Sequence, residues 1–177
     1  MTIEQTKTFR PYALSLAILS GLARLLPHPM NFTPVGGASL FAGARLNAWM
    51  AYLLPIVVMA VTDPIVGGFS FATPFVYAAF LLNVLIGRTL LRRSENPIKI
   101  GSAALLCSVQ FFVITNFATF LQYFPHTSSG LLACYTLAIP YFGRTMAGDL
   151  FFTAITFGLH YLLTRTVARE ERALAAA

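Results

Sequence analysis

Arg24, His28, Asn31, Asp63, Asn116 and Arg144 are the side chains of this sequence best suited to grip a polar ligand. An arginine offers a rigid fork of donors to a carboxylate or phosphate, and amides can orient what the charge attracts. These residues stand in a chain almost empty of other charge. Six acidic and twelve basic residues occur in 177, and 57% of the chain is hydrophobic. A soluble domain carries about a quarter charged residues; here the share is 10%. Between Arg45 and Arg88 the only charged residue is Asp63, and none lies between Lys99 and Arg144 or between Asp149 and Arg165.

Gaps of that length hold one or two apolar rods of roughly 20 residues, the length that crosses a bilayer. The fold class expected is therefore all-α: an integral membrane bundle of six transmembrane helices. The spans fall at about Tyr12–Leu26, Thr33–Leu46, Ala48–Thr62, Pro74–Leu91, Ile100–Tyr123 and Thr145–Leu163. Pro27-His28-Pro29 closes the first and Asp63-Pro64 the third, since proline breaks helices. Leu131–Ile139 is apolar but short, and reads as an interfacial or re-entrant segment before the last helix. Residues 1–11 form an N-terminal segment, 12–163 the transmembrane domain and 164–177 a C-terminal tail. The first apolar run lacks a clear small-residue cleavage site and is kept as a mature helix.

With the N-terminus inside, the inner face receives Lys7, Arg10, Arg45, Arg88, Arg92, Arg93, Lys99, Arg165, Arg169 and Arg172, and the outer face only Arg24 and Arg144. That asymmetry matches the positive-inside rule and puts both termini in the cytoplasm. The basic clusters are topology signals rather than a nucleic-acid surface. The same threading gathers Arg24, His28, Asn31, Asp63, Asn116, His126, Arg144 and Asp149 on one external rim. Ionisable groups at such depth are costly and mark solute or ion paths; they also pair to fasten helices, as Arg24 with Asp63 or Arg144 with Asp149 could. Asn31 or Thr33 can cap the second span, with Pro34 in its first turn, and the capped end would present a positive dipole to an anionic group.

Deeper in the bundle, Asn83 and Gln110 suit interhelical hydrogen bonding. His160 reads as a packed histidine, or less readily as a proton relay. Ala13, Ala17 and Gly21 recur at four-residue spacing, a stripe that lets another helix come close, from inside the bundle or from a partner. Cys107 and Cys134 show neither metal spacing nor a disulfide framework. No P-loop, HExxH or GxSxG motif occurs, so no cofactor is expected, and active transport would need a partner ATPase or an ion gradient.

The run Ala23-Arg24-Leu25-Leu26-Pro27-His28-Pro29-Met30-Asn31-Phe32-Thr33-Pro34-Val35-Gly36, with Asp63-Pro64, Asn116-Phe117 and Gly130–Asp149, resembles an uncharacterised bacterial family of membrane transport proteins. The layout is also similar to the S components of energy-coupling factor vitamin transporters. That likeness implies an inner-membrane protein that binds a small solute near the outer face. It further implies that Ala13 and Ala17 dock a transmembrane coupling subunit driven by ATPases. The function expected is uptake of a small solute such as a vitamin, with Arg24, His28, Asn31, Asp63, Asn116 and Arg144 lining the site. The alternatives are a scaffold or assembly subunit, and an intramembrane enzyme holding a metal on His28, Asp63 and His126.

Overall fold

The structure, a computed structural model, describes residues 11–27, 29–92 and 94–175. Every regular element in it is helical: α1 (Pro11–Leu22), a 3-10 turn (Ala23–Leu25), α2 (Val35–Arg45), α3 (Ala48–Val66), α4 (Thr73–Leu90), α5 (Pro97–Tyr123) and α6 (Ser128–Ala175). No strand occurs among the described residues. Four of these helices, α3 to α6, are long and apolar enough to cross a membrane. α1 and its 3-10 turn make a shorter apolar rod, Tyr12–Leu25. α2 has 11 residues, about 16 Å of helix, against roughly 30 Å of hydrocarbon.

The outward positions carry the side chains lipid demands: Leu53, Val57 and Val61 on α3, Leu82 and Leu85 on α4, Leu105, Val109 and Val113 on α5, and Ile155, Leu159 and Leu162 on α6 are all exposed. The hydrophobic effect does not drive helices together in such a setting, so close packing and internal hydrogen bonds must. α2 is where that packing concentrates. It touches each of the other five α-helices, and every residue from Val35 to Ala44 is buried. Small residues make this possible. A Cβ on Gly43 would strike the Val84 carbonyl of α4, and one on Gly87 would strike the Leu40 carbonyl of α2, so the two backbones cross in direct contact.

Two expected interruptions are absent. α3 runs through Asp63 and Pro64 to Val66, and the Asp63 carbonyl accepts from the N–H of Gly67 at 3.0 Å and of Gly68 at 2.6 Å. Gly68 then turns the chain with φ 78°, a conformation glycine adopts without strain. Likewise, Leu131–Ile139 is no separate interfacial segment. It is continuous with α6, which carries Pro140 inside and extends for 48 residues, about 72 Å. The physical reason is shared. Away from water, interrupting a helix strands backbone groups, which costs more than the one bond a proline removes. Side chains also hold the early part of α6 to α5: Tyr135 donates to the Val113 carbonyl at 2.7 Å and Cys134 Sγ to the Asn116 carbonyl at 3.4 Å.

The start of α2 also departs from expectation. Its cap residue is Pro34, with no side-chain capping bond. Asn31 is exposed, with φ 64°. It sits in a turn closed by Phe32 N–H on the Pro29 carbonyl at 3.0 Å, a left-handed position asparagine tolerates. Thr33 Oγ1 is buried without a partner.

Candidate functional site

Two polar clusters lie inside the bundle. The first forms where the end of α1 meets α3 and α4. The 3-10 turn aims Arg24 at α3, where Nη1 donates to Asp63 Oδ1 at 2.6 Å, to Thr62 Oγ1 at 2.8 Å and to Met59 Sδ at 3.1 Å. Tyr77 of α4 donates to the other carboxylate oxygen at 3.0 Å. Met59 and Asp63 share a helix face one turn apart, which is why one guanidinium can reach both. The Arg24 and Asp63 side chains are 16% and 6% exposed. Withdrawn from water to that degree, the charges need both each other and the added hydrogen bonds. Chemically, the cluster is a neutralised latch across three elements, with both oxygens of Asp63 engaged.

The second cluster lies deeper. Asp149 of α6 is 3% exposed, and Ser108 of α5 donates to its Oδ2 at 2.7 Å. Ser108 stands 11 residues from the start of α5, roughly 16 Å along the axis, so the carboxyl lies far from either end of that helix. Its Oδ1 presses on the first turn of α2, where any Cβ on Gly36 would fall on it. The N-terminal end of α2 thus faces a carboxylate of the chain itself, where the sequence reading held it open for an anionic group on a ligand. Gly37 makes the neighbouring contact with Thr153, one turn further along α6. Thr145, Asp149, Thr153, Thr156 and His160 are all buried. Their spacing of four, four, three and four residues keeps them on one face, a polar stripe along a helix that is otherwise apolar.

Of the six residues expected to line a rim, Arg24 and Asp63 meet. Asn116 instead donates to the Phe112 carbonyl of its own helix at 2.8 Å. Asn31 and Arg144 are exposed, and His28 lies outside the described residues. Arg144 forms no described pair with Asp149, and the one ion pair between described side chains is Arg24–Asp63. His126, proposed with Asp63 for a metal, is exposed and bonds the Leu121 carbonyl at 3.1 Å. Among the described residues no group of three or more His, Cys, Asp or Glu side chains could hold a metal. Ala13, Ala17 and Gly21 are buried within the bundle, where Gly21 lies against Val58 of α3. The sequence reading missed Thr62, Tyr77, Ser108 and Thr153. Only the adjacency of Thr62 to Asp63 signalled any of them.

The interhelical pair expected deeper in the bundle is present. Gln110 donates to Asn83 Oδ1 at 2.6 Å and to the Ala79 carbonyl at 2.9 Å. At the other end from the Arg24 latch, a cavity of about 620 Å3 opens between α5 and α6, lined by Arg45, Glu95, Ile100, Thr153, Phe157 and His160 among others. Arg45 is held there by the carbonyls of Leu91 and Ser94, both at 2.9 Å, and stacks over Phe157. The cavity reaches Thr153, the next residue along the stripe from Asp149.

An apolar exterior and a hydrogen-bonded polar interior define a helical protein built for a lipid bilayer. Residues 5–173 match the model of a family described as a family of unknown function, DUF6580, and the chain belongs to that family. No curated protein and no solved structure matches it.

Proposed function

We propose that this chain is a carrier that takes up a small solute across the bacterial inner membrane, with both termini in the cytoplasm. One observation carries the reading. One end of the bundle is shut by the Arg24–Asp63 pair with Tyr77, while the other opens through a cavity of about 620 Å3 that penetrates to Thr153. A barrier at one end and an opening at the other is the arrangement alternating access requires. Counted with α2 carrying the chain from one side to the other, the ten-to-two distribution of basic residues supports assigning the latch to the outside and the cavity to the inside. On this reading Arg24 and Asp63 part to admit the solute, and Arg24 then supplies positive charge to it. A vitamin-sized molecule fits the cavity, whose size is ordinary for small-molecule sites.

The likeness to energy-coupling factor S components is one of layout alone, and layout is a weak guide to function. Burial of Ala13, Ala17 and Gly21 counts against a coupling subunit docking on that stripe. The saturated Arg24–Asp63 pair favours a second reading, a scaffold subunit that never opens. Mass spectrometry of small molecules copurifying with the detergent-extracted protein separates the two. A carrier retains a discrete solute, lost or weakened in Arg24→Ala. A preparation with no solute above background, and uptake by intact cells unchanged in Arg24→Ala, sinks the carrier.

A further inference from the structure

We infer that Asp149, Ser108 and Thr153 form a binding site for a small monovalent cation, sodium or a proton, which couples the carrier to an ion gradient. The inference rests on the carrier reading for its role, but the site stands on its own geometry. Asp149 is 3% exposed and has no basic partner among the described residues. Its one described side-chain bond is from Ser108. The N-terminal end of α2 meets one of its oxygens but supplies only part of a positive charge, and an ionisable group at such depth marks an ion path or a proton relay.

Thr153 supplies the second, independent observation. In an apolar helix a buried threonine normally satisfies its hydroxyl on the carbonyl four residues back. On the same helix the buried Thr145 and Thr156 do so, at 3.2 and 2.7 Å. Thr153 does not: 2% exposed, its Oγ1 is buried with no partner. It lies beside Gly37 as Asp149 lies beside Gly36, so both oxygens border the same turn of α2. Carboxylate and hydroxyl oxygens are the ligands a hard cation takes. The cavity that reaches Thr153 gives the ion a way in from the Arg45 end.

The groups facing Asp149 are few. From α5 come Ser108 and, next to it in the chain, the buried thiol of Cys107. α2 presents glycine backbone. From α1, Ser20 meets α6 at Thr156, 3.2 Å away and further down the stripe. His160 lies beyond, among the rings of Tyr12 and Phe41 and beside the Arg45 and Glu95 cavity.

The test is thermal melting of the purified full chain in detergent, which needs no solute and so fails or succeeds apart from the carrier reading. Sodium chloride is titrated against choline chloride at constant ionic strength, and the melt is repeated across pH. Wild type, Asp149→Asn and Thr153→Val are compared. Ligand binding to the folded state raises the melting point with concentration. A rise of a few degrees with sodium that both variants lose identifies sodium. No sodium response, but a pH-dependent melting point in wild type and Thr153→Val that Asp149→Asn flattens, identifies the proton. A wild-type melting point indifferent to sodium, with a pH profile shared by folded Asp149→Asn, overturns the site. If Asp149→Asn does not fold, Ser108→Ala takes its place: losing the hydroxyl that donates to the carboxylate moves the pH profile of the melting point if Asp149 carries the proton, and an unmoved profile overturns the site. A wild-type melting point unmoved by both sodium and pH overturns the site on its own.

Discussion

Arg24 meets Asp63 across 39 positions of sequence at 2.6 Å, and Tyr77 closes on the same carboxylate from the other side. The first lies in the 3-10 turn that follows α1, the second near the end of α3 and the third near the start of α4, so three helix ends are held by one ion pair. Removing one partner of a well-buried pair costs about 3–5 kcal/mol, since the other charge is left uncompensated. Arg24 keeps some exposure, so the lower end applies. Arg24→Ala and Asp63→Ala should each lower the unfolding free energy by about 3 kcal/mol. The double variant should cost clearly less than their sum, as a double-mutant cycle in detergent would measure. Additive losses would show that the pair does not hold the latch.

The α2 crossings make a sharper set. Gly36→Ala pushes a methyl onto Asp149, and Gly43→Ala or Gly87→Ala pushes one onto a facing carbonyl. Each should cost about 1–3 kcal/mol, the usual penalty for overpacking, read as a lowered melting point. Gly101 and Gly158 face open space. Alanine there should be neutral, or stabilising by up to about 1 kcal/mol through helix propensity.

Between α4 and α5, Asn83 is fully buried and accepts from Gln110. Asn83→Ala should destabilise by about 1 kcal/mol, the scale of interhelical hydrogen bonds in membranes. Gln110→Ala should do the same, and the two losses should not add. Chemical denaturation in mixed micelles measures both.

Sidedness can be checked with single cysteines in a background lacking Cys107 and Cys134. Glu95 and Phe69 are both exposed, in the connections between α4 and α5 and between α3 and α4. A membrane-impermeant maleimide should label Phe69→Cys in intact cells and Glu95→Cys only after permeabilisation. The reverse pattern would invert the carrier and place the cavity outside.

How far the sequence reading reached follows from what each signal measures. The charge gaps exposed the long apolar helices, because lipid tolerates so few ionised groups. The Arg24 latch was half legible: a lone arginine and a lone aspartate among apolar residues invite pairing. Tyr77 was invisible, since an aromatic in an apolar helix looks like packing until its hydroxyl is located. Asp149 was misread through its nearness to Arg144. Five residues along a helix turn a side chain about 140° away, and Arg144 points out while Asp149 points in. Asp63-Pro64 reads as a helix end by the weight proline carries in water, but in lipid α3 runs on to Val66 because an interruption would strand more backbone groups.

The burial of α2 from Val35 to Ala44 has a consequence for biogenesis. A helix of 11 residues, rich in glycine and alanine and carrying Arg45 at its end, offers the insertion machinery too little apolar length to partition into lipid unaided. It must be drawn in by its longer neighbours and find its seat only after they stand upright. Maturation of the whole bundle then waits on that late arrival, and a defect along α2 should appear as turnover of newly made chains before it appears as lost activity.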